Sequence, residues 1–110
     1  TKDLITRICE GEIMTDKDIF NYHGYREQCK HITEEMYELT EAIYDYENNK
    51  NLKNWNHICE EVADIEFMLN QIKENYVVKK QNVNAWLDYK RKREIKRIEE
   101  NYYVQTDNKN

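Results

Sequence analysis

Proline is absent from this sequence of 110 residues, and glycine occurs only at Gly11 and Gly24. Because proline and glycine are the residues that most strongly interrupt helices, almost nothing in the chain breaks a helix. Runs of β-branched residues, which favour strands, are also missing. These absences exclude a sheet protein and predict an all-α fold.

Long apolar runs are missing as well. No stretch approaches the roughly 20 apolar residues of a membrane span, and no apolar run follows the N-terminus. The sequence therefore predicts neither a membrane partner nor a signal peptide. Cys9, Cys29 and Cys59 are odd in number and share no CxxC spacing, which excludes a disulfide framework and indicates reduced thiols in a cytoplasmic protein.

Charge is plentiful but unevenly placed. The formal net charge is -5, with acids concentrated between Glu27 and Glu66 and bases from Lys73 onward, ending in the run "KRKREIKR" from Lys90 to Arg97. This balance argues against a purely electrostatic nucleic-acid binder, so nucleic acid is not the expected partner. It allows an acidic centre flanked by a basic rim.

The hydrophobic content of 39% is enough to cover one stripe on each helix. The length predicts a single domain, placed at residues 1–104, with residues 105–110 as a flexible tail. A small helical chain with so modest a core commonly completes its burial against another subunit. We therefore expect a homo-oligomer, a dimer or a tetramer.

Apolar spacing predicts three long helices. The first runs from about Tyr25 to Glu47, the second begins at Leu52 or Asn54 and ends near Tyr76, and the third covers about residues 83–102. The apolar stripes of the first two helices are formed by Ile32, Met36, Leu39, Ile43, Ile58, Val62, Ile65, Leu69 and Ile72. Before Gly24 the sequence predicts two shorter helical segments, the second capped by Thr15 or Asp16.

The two central helices repeat one pattern. The segment "HITEEMYELTEAI", from His31 to Ile43, matches "HICEEVADIEFML", from His57 to Leu69, twenty-six residues later. Two helices of equal pattern joined by a short polar turn favour an antiparallel pair. The predicted architecture is an antiparallel helical bundle that oligomerisation completes.

Acidic residues accompany both apolar stripes at equal offsets. With about 100° of rotation per residue, Glu35 and Glu61 lie about 60° from the middle of the stripe, and Glu38 and Asp64 about 120° on the same side. Glu34 and Glu60 lie further round, nearer to solvent. Because both helices carry their acidic pair on the same side of the stripe, the sequence predicts that four carboxylates converge, at positions 35, 38, 61 and 64.

Such convergence is unfavourable without a counter-charge. Two like charges about 5 Å apart cost roughly 3 kcal/mol at an effective dielectric of about 20. A hard divalent cation compensates this repulsion, and carboxylate oxygens suit Mg²⁺, with Mn²⁺ as a substitute. The alternative is that the acids form a solvated shoulder beside the core.

Two motifs carry a resemblance to a known family. Glu35-Met-Tyr-Glu38 and Glu61-Val-Ala-Asp64 resemble the ExxE and ExxD motifs of MazG-like nucleotide pyrophosphohydrolases, which are all-α enzymes. The twenty-two residues between Glu38 and Glu61 also resemble the family's spacing. The resemblance covers about residues 25–76 and weakens through "YKRKREIKRIEE".

The resemblance implies a helical bundle that assembles as a homodimer or homotetramer. It implies hydrolysis of a nucleoside triphosphate between the α and β phosphates, giving monophosphate and pyrophosphate, often to cleanse the nucleotide pool. It further implies that Mg²⁺ is held by Glu35, Glu38, Glu61 and Asp64.

Other residues are candidates for the remaining roles in such a reaction. Glu34 or Glu60 could act as the general base, because each neighbours a metal ligand in the sequence. Trp55 and Tyr22 could stack on a base. The candidates for phosphate contact are Lys79, Lys80, Arg93, Lys96 and Arg97.

Three other interpretations of the acidic and basic residues compete with this one. A di-iron bundle would use Glu-x-x-His, but the chain has Gln28 and Asn54 where the acids would stand before His31 and His57. A zinc site lacks Cys and His pairs at the usual spacing. A non-enzymatic helical interaction module, using "KRKREIKR" to bind a partner or nucleic acid, stays open as the alternative function.

Overall fold

The computed structural model describes residues 2–100, and within them it consists of five helices and no strand. The helices are α1 (Leu4–Cys9), α2 (Asp16–His23), α3 (Tyr25–Asn48), α4 (Leu52–Asn75) and α5 (Lys80–Glu99). The all-α prediction is therefore confirmed for this part of the chain. The predicted tail at residues 105–110 and the predicted end of the last helix near Tyr102 lie outside the described residues.

Local chemistry explains where the helices begin. At the start of α2 the Thr15 hydroxyl accepts the backbone N–H of Asp18 at 3.1 Å, while the Asp18 carboxylate accepts the N–H of Thr15 at 3.0 Å. Such a capping box satisfies two N–H groups that the first turn leaves unpaired. Gly24 separates α2 from α3 with φ of 88°, a conformation that favours glycine. The Asn51 side chain caps α4.

The chain divides into two compact units between Val77 and Val78. The first unit contains α1 to α4, and the second contains α5, which begins at Lys80 rather than near Val83 as predicted. No residue of α5 is buried. Its large apolar side chains are all half-exposed or more: Trp86, Leu87, Tyr89, Ile95 and Ile98. The single domain over residues 1–104 stays a prediction.

In the first unit, α3 and α4 lie side by side and run antiparallel. Gln28, near the start of α3, hydrogen-bonds Gln71, near the end of α4, while Asn54 donates to the carbonyl of Asp45 at the opposite end. The helix α2 packs mainly on α4 and also on α3. Its Phe20 is buried, and the ring of Phe20 meets that of Tyr76 edge to face at 5.7 Å.

The buried stripe is rotated from the predicted one. The residues of α3 and α4 that turn inward mostly follow alternating steps of three and four, and Gln71 is buried beside them. They include polar positions: Gln28, Ile32, Glu35, Leu39, Ala42, Tyr46, Asn54, Ile58, Glu61, Ile65, Met68, Gln71 and Ile72. Met36 and Ile43, predicted for the stripe, are 55% and 44% exposed. Glu35 and Glu61 therefore lie within the packed face, not about 60° to its side. Counting only apolar residues misplaced the centre of this face.

The structure bears on two predictions, the absence of a membrane span and the reduced cysteines. None of the helices within residues 2–100 combines the length and apolar character needed to cross a bilayer. Cys9, Cys29 and Cys59 are free and exposed. Cytoplasmic localisation stays a prediction.

Candidate metal centre

The four carboxylates predicted to converge lie together between α3 and α4. Glu35, Glu38 and Glu61 each offer an oxygen atom within 4.8 Å of the other two. The carboxyl group of Asp64 lies within hydrogen-bonding reach of Glu35 and acts electrostatically on both Glu35 and Glu61. We call this set the acidic cluster: Glu35, Glu38, Glu61 and Asp64.

The helix packing fixes the two inner members of the acidic cluster. The side chains of Glu35 and Glu61 are 13% and 7% exposed, because each stands on the packed face of its helix. Glu38 is exposed and Asp64 is half-buried, one helical turn further along. The cluster thus has a buried floor of two carboxylates and a rim that solvent and ligands can reach.

The floor of the acidic cluster is incompletely satisfied. Glu35 Oε1 lies 3.5 Å from His31 Nε2, and Glu61 Oε1 lies 3.2 Å from His57 Nε2. The second oxygen of each, Oε2, is buried and has no hydrogen-bond partner in the described part of the chain. A buried charge without compensation is costly, so this arrangement calls for a cation or a proton.

The electrostatics of the site agree with that demand. Burial, the largest cause, and the neighbouring Asp64, Glu38 and Glu61 together raise the pKa of Glu35 to about 7. Burial also raises the pKa of Glu61, together with the charges of Glu38 and Asp64, while His57 opposes the rise. Without a counter-ion, the cluster therefore holds on to protons that ordinary glutamates release.

The donor set fits a hard divalent cation. All four groups are carboxylates, which Mg²⁺ prefers to nitrogen or sulfur ligands. Two are held by packing and two stand at the rim, where further positions remain for water or phosphate oxygens. The buried, unpartnered oxygens of Glu35 and Glu61 would face such an ion in place of hydrogen-bond donors.

The two candidate bases occupy different surroundings. Glu34 is exposed and lines a cavity of about 560 Å³ together with Glu38, Thr33, Tyr37 and Glu41. Glu60 is exposed and lines another, of about 340 Å³, with Lys53, Asn54, Asn56 and His57. Both cavities open beside members of the acidic cluster. Space for a ligand therefore exists on its solvent side.

The candidate phosphate and base contacts are more scattered. Lys79 precedes α5 and the other four cations, Lys80, Arg93, Lys96 and Arg97, lie on it, all in the second unit. Their contact with phosphate stays a prediction. Trp55 is half-exposed on α4, and Tyr22 is exposed on α2, where its ring meets that of His23 at 5.0 Å.

Two features of the site escaped sequence reasoning. The first is the pairing of His31 with Glu35 and of His57 with Glu61, for which the i,i+4 spacing in both repeats was the available signal. The second is Lys53, a cation that shares a cavity with His57 and Glu60.

No family model matches the chain, and no curated protein or solved structure matches it.

Proposed function

We propose that the protein is a Mg²⁺-dependent, MazG-like nucleotide pyrophosphohydrolase that cleaves nucleoside triphosphates between the α and β phosphates. The products would be monophosphate and pyrophosphate, and the role would be to cleanse the nucleotide pool. One observation carries the proposal: two buried carboxylates, Glu35 and Glu61, meet between repeated helices with an unpartnered oxygen on each. The motifs that contain them add the resemblance described above.

The chain's own residues divide the work of hydrolysis. When bound, Mg²⁺ would supply neutralisation of phosphate charge and a polarised water. Glu35 and Glu61 are preorganised by packing, and Glu38 and Asp64 complete the ligand set from the rim. Glu34 or Glu60 would accept the proton of the attacking water, since each borders the cluster and is exposed. Positioning and charge stabilisation suffice for such an in-line displacement.

The substrate would approach from the solvent side of the acidic cluster. The cavity of about 560 Å³ beside Glu34 and Glu38 is within the size range of small-molecule sites. Tyr37 is among its lining residues, and a tyrosine ring is a surface on which a nucleobase could stack. Within the proposal, Trp55 is the second stacking candidate, and the cations of α5 remain the candidates for phosphate contact.

A second copy of the chain would complete the helical bundle. Met36, Ile43, Val62 and Leu69 are 55%, 44%, 39% and 38% exposed. All four lie on one rotational side of the packed face, opposite Glu38 and Asp64, and in an antiparallel pair these flanks fall on the same side. We propose that this apolar flank pairs with its copy in a homodimer or homotetramer. Sedimentation of Met36→Lys should give a smaller species than the natural chain.

The deciding experiment measures pyrophosphate release from a panel of canonical and modified nucleoside triphosphates with Mg²⁺. Glu38→Gln and Asp64→Asn should abolish release while circular dichroism shows intact helices. Matched controls are Glu47→Gln on α3 and Glu66→Gln on α4, exposed acids outside the cluster, which should keep full turnover. Unchanged turnover in either cluster variant would refute the metal site.

The alternative function, a non-enzymatic interaction module, also has an observation in its favour. The helix α5 combines exposed Trp86, Leu87, Ile95 and Ile98 with the basic run from Lys90 to Arg97. Such a helix suits docking to a partner protein or nucleic acid. Salt-dependent binding to DNA with no nucleotide turnover in Mg²⁺ would favour this alternative.

A further inference from the structure

A second group of ligand atoms adjoins the acidic cluster. His57, Glu60 and Glu61 each offer an atom within 4.8 Å of the other two. We propose that this group binds a second divalent cation, a transition-metal ion such as Mn²⁺, Co²⁺ or Zn²⁺, with Glu61 as the bridge to the acidic cluster. We call this group the histidine site.

The donor types decide the class of ion. The acidic cluster contains oxygen donors alone, whereas the histidine site adds an imidazole nitrogen. Imidazole suits transition-metal ions, while Mg²⁺ takes oxygen ligands and keeps much of its water. The two neighbouring sites should therefore differ in preference, with Mg²⁺ at the acidic cluster and the transition metal at the histidine site.

An observation beyond the grouping itself points to a ligand. The Glu61 side chain is 7% exposed, and only its Oε1 has a neighbour with a proton to share, His57 Nε2 at 3.2 Å. Its Oε2 is buried and has no hydrogen-bond partner in the described residues. Glu61 therefore has one oxygen beside the His57 imidazole and one buried oxygen without a partner. It also belongs to both groups of ligand atoms, so a carboxylate that binds one ion through each oxygen would join the two sites.

The surroundings of the histidine site provide access and open positions. The His57 side chain is 45% exposed and Glu60 is exposed, so an ion can enter from solvent. The adjoining cavity of about 340 Å³, lined by Lys53, Asn54, Asn56, His57 and Glu60, leaves room for water or a phosphate oxygen. Three protein ligands with an open position are typical of catalytic rather than closed structural sites.

The sequence repeat supplies a built-in control. His31, Glu34 and Glu35 are the equivalents of His57, Glu60 and Glu61. His31 Nε2 lies 3.5 Å from Glu35 Oε1, but within residues 2–100 these three equivalents are not among the groups that bring ligand atoms within 4.8 Å. Equal sequence therefore yields one histidine site and not two.

This inference does not rest on nucleotide hydrolysis, although it shares Glu61 with the proposed magnesium centre. It also refines that proposal. With Glu60 acting as a ligand of the second ion, Glu34 remains as the candidate general base.

The test titrates the metal-free full-length chain with Co²⁺ in the presence of saturating Mg²⁺, following the visible absorption of bound cobalt and the binding heat. The natural chain should bind one Co²⁺ with nitrogen coordination. His57→Gln and Glu60→Gln should each weaken its affinity at least tenfold, and His31→Gln should leave it within twofold. Proton NMR should show the His57 ring resonances broadened by Co²⁺ and those of His31 less so.

Each outcome bears on the inference. Equal Co²⁺ affinity in the natural chain and His57→Gln overturns it, as does equal weakening by His31→Gln. If the natural chain releases no pyrophosphate from any nucleotide of the panel but shows the His57-dependent cobalt signal, the proposed function is rejected and the histidine site is supported. Pyrophosphate release that depends on Asp64, without a His57-dependent cobalt signal, rejects the histidine site alone.

Discussion

Two polar layers are buried between α3 and α4, and they differ in how fully their polar atoms are hydrogen-bonded. In the first layer, Gln28 Nε2 donates to Gln71 Oε1 at 2.6 Å, and the two residues are 3% and 0% exposed. Seven residues further along α3 and seven back along α4 stand Glu35 and Asp64, beside Glu61. Seven residues make nearly two helical turns, so both layers face the same interface.

The difference between the layers separates a structural role from a ligand-binding one. The glutamine layer is neutral, and one of its side chains donates a hydrogen bond to the other. The cost of burying these amides is therefore compensated within the fold. In the carboxylate layer, His31 and His57 approach only Oε1 of Glu35 and Glu61, and Oε2 of each has no hydrogen-bond partner in the described residues. The carboxylate layer therefore calls for a cation or a proton to compensate its buried charge, and the glutamine layer does not.

The largest expected effect comes from turning the second layer into a copy of the first. Glu61→Gln should lower pyrophosphate release at least a hundredfold, because it removes a charged group that we propose as a metal ligand at the floor of the cluster. The same variant should keep or gain stability without metal, since it relieves buried charge. Steady-state kinetics with Mg²⁺ and thermal unfolding of the metal-free protein measure the two effects.

The matched control alters the glutamine layer with the opposite result. Gln71→Leu should lower stability while its folded fraction keeps turnover within a fewfold of the natural chain. If Glu61→Gln and Gln71→Leu changed activity and stability in the same directions, the two layers would not differ in role.

A smaller effect is expected from breaking the first layer. Gln28→Leu leaves Gln71 Oε1 without its donor, at a position with no exposure. The free energy of unfolding should fall by about 2–3 kcal/mol, from the lost hydrogen bond and the unsatisfied buried amide. Urea unfolding followed by circular dichroism measures it. The double variant Gln28→Leu/Gln71→Leu should recover much of the loss, and a strictly additive double variant would contradict the pairing.

The comparison also shows how far sequence reasoning reached. The apolar period predicted the ends of α3 and α4 within one or two residues. The repeat predicted that Glu35, Glu38, Glu61 and Asp64 lie close together, as they do in the structure. The rotation of the packed face was wrong, because it depends on how α2, α3 and α4 share their surfaces. The apolar period could not predict the buried pair of Gln28 and Gln71, because these two residues are polar and stand forty-three positions apart in the sequence.

The next effect concerns the metal-free protein and pH. The folded-state pKa of Glu35 is raised to about 7 from an ordinary value of 4.5, so the folded chain holds this proton more tightly than the unfolded chain. Stability from Glu35 is full below about pH 4.5 and is lost as pH rises toward 7. Glu35→Gln should therefore stabilise the metal-free protein by on the order of 2 kcal/mol at pH 8 and by little at pH 4.

Chemical denaturation at the two pH values, with a chelator present, tests this expectation. Glu47→Gln is the control on the same helix. Glu47 is exposed, and its carboxylate forms an ion pair with Lys50 at 3.6 Å. Its effect should be small and equal at both pH values. A Glu35→Gln variant that is less stable than the natural chain at pH 8 would show that burial of this charge is compensated already.

The smallest expected effect is on cation affinity. Because Mg²⁺ requires the ionised carboxylate, binding must displace the proton that the raised pKa of Glu35, about 7, retains. The ionised fraction falls about tenfold between pH 8 and pH 6, so the apparent Kd for Mg²⁺ should rise about tenfold over that range. Calorimetry in buffers of different ionisation heat should also detect proton release near pH 7. In Glu35→Gln, binding is weaker and its dependence on pH should flatten. An affinity in the natural chain that does not change between pH 6 and pH 8 would place the cation away from the carboxylate layer and return that layer to the same structural role as the glutamines.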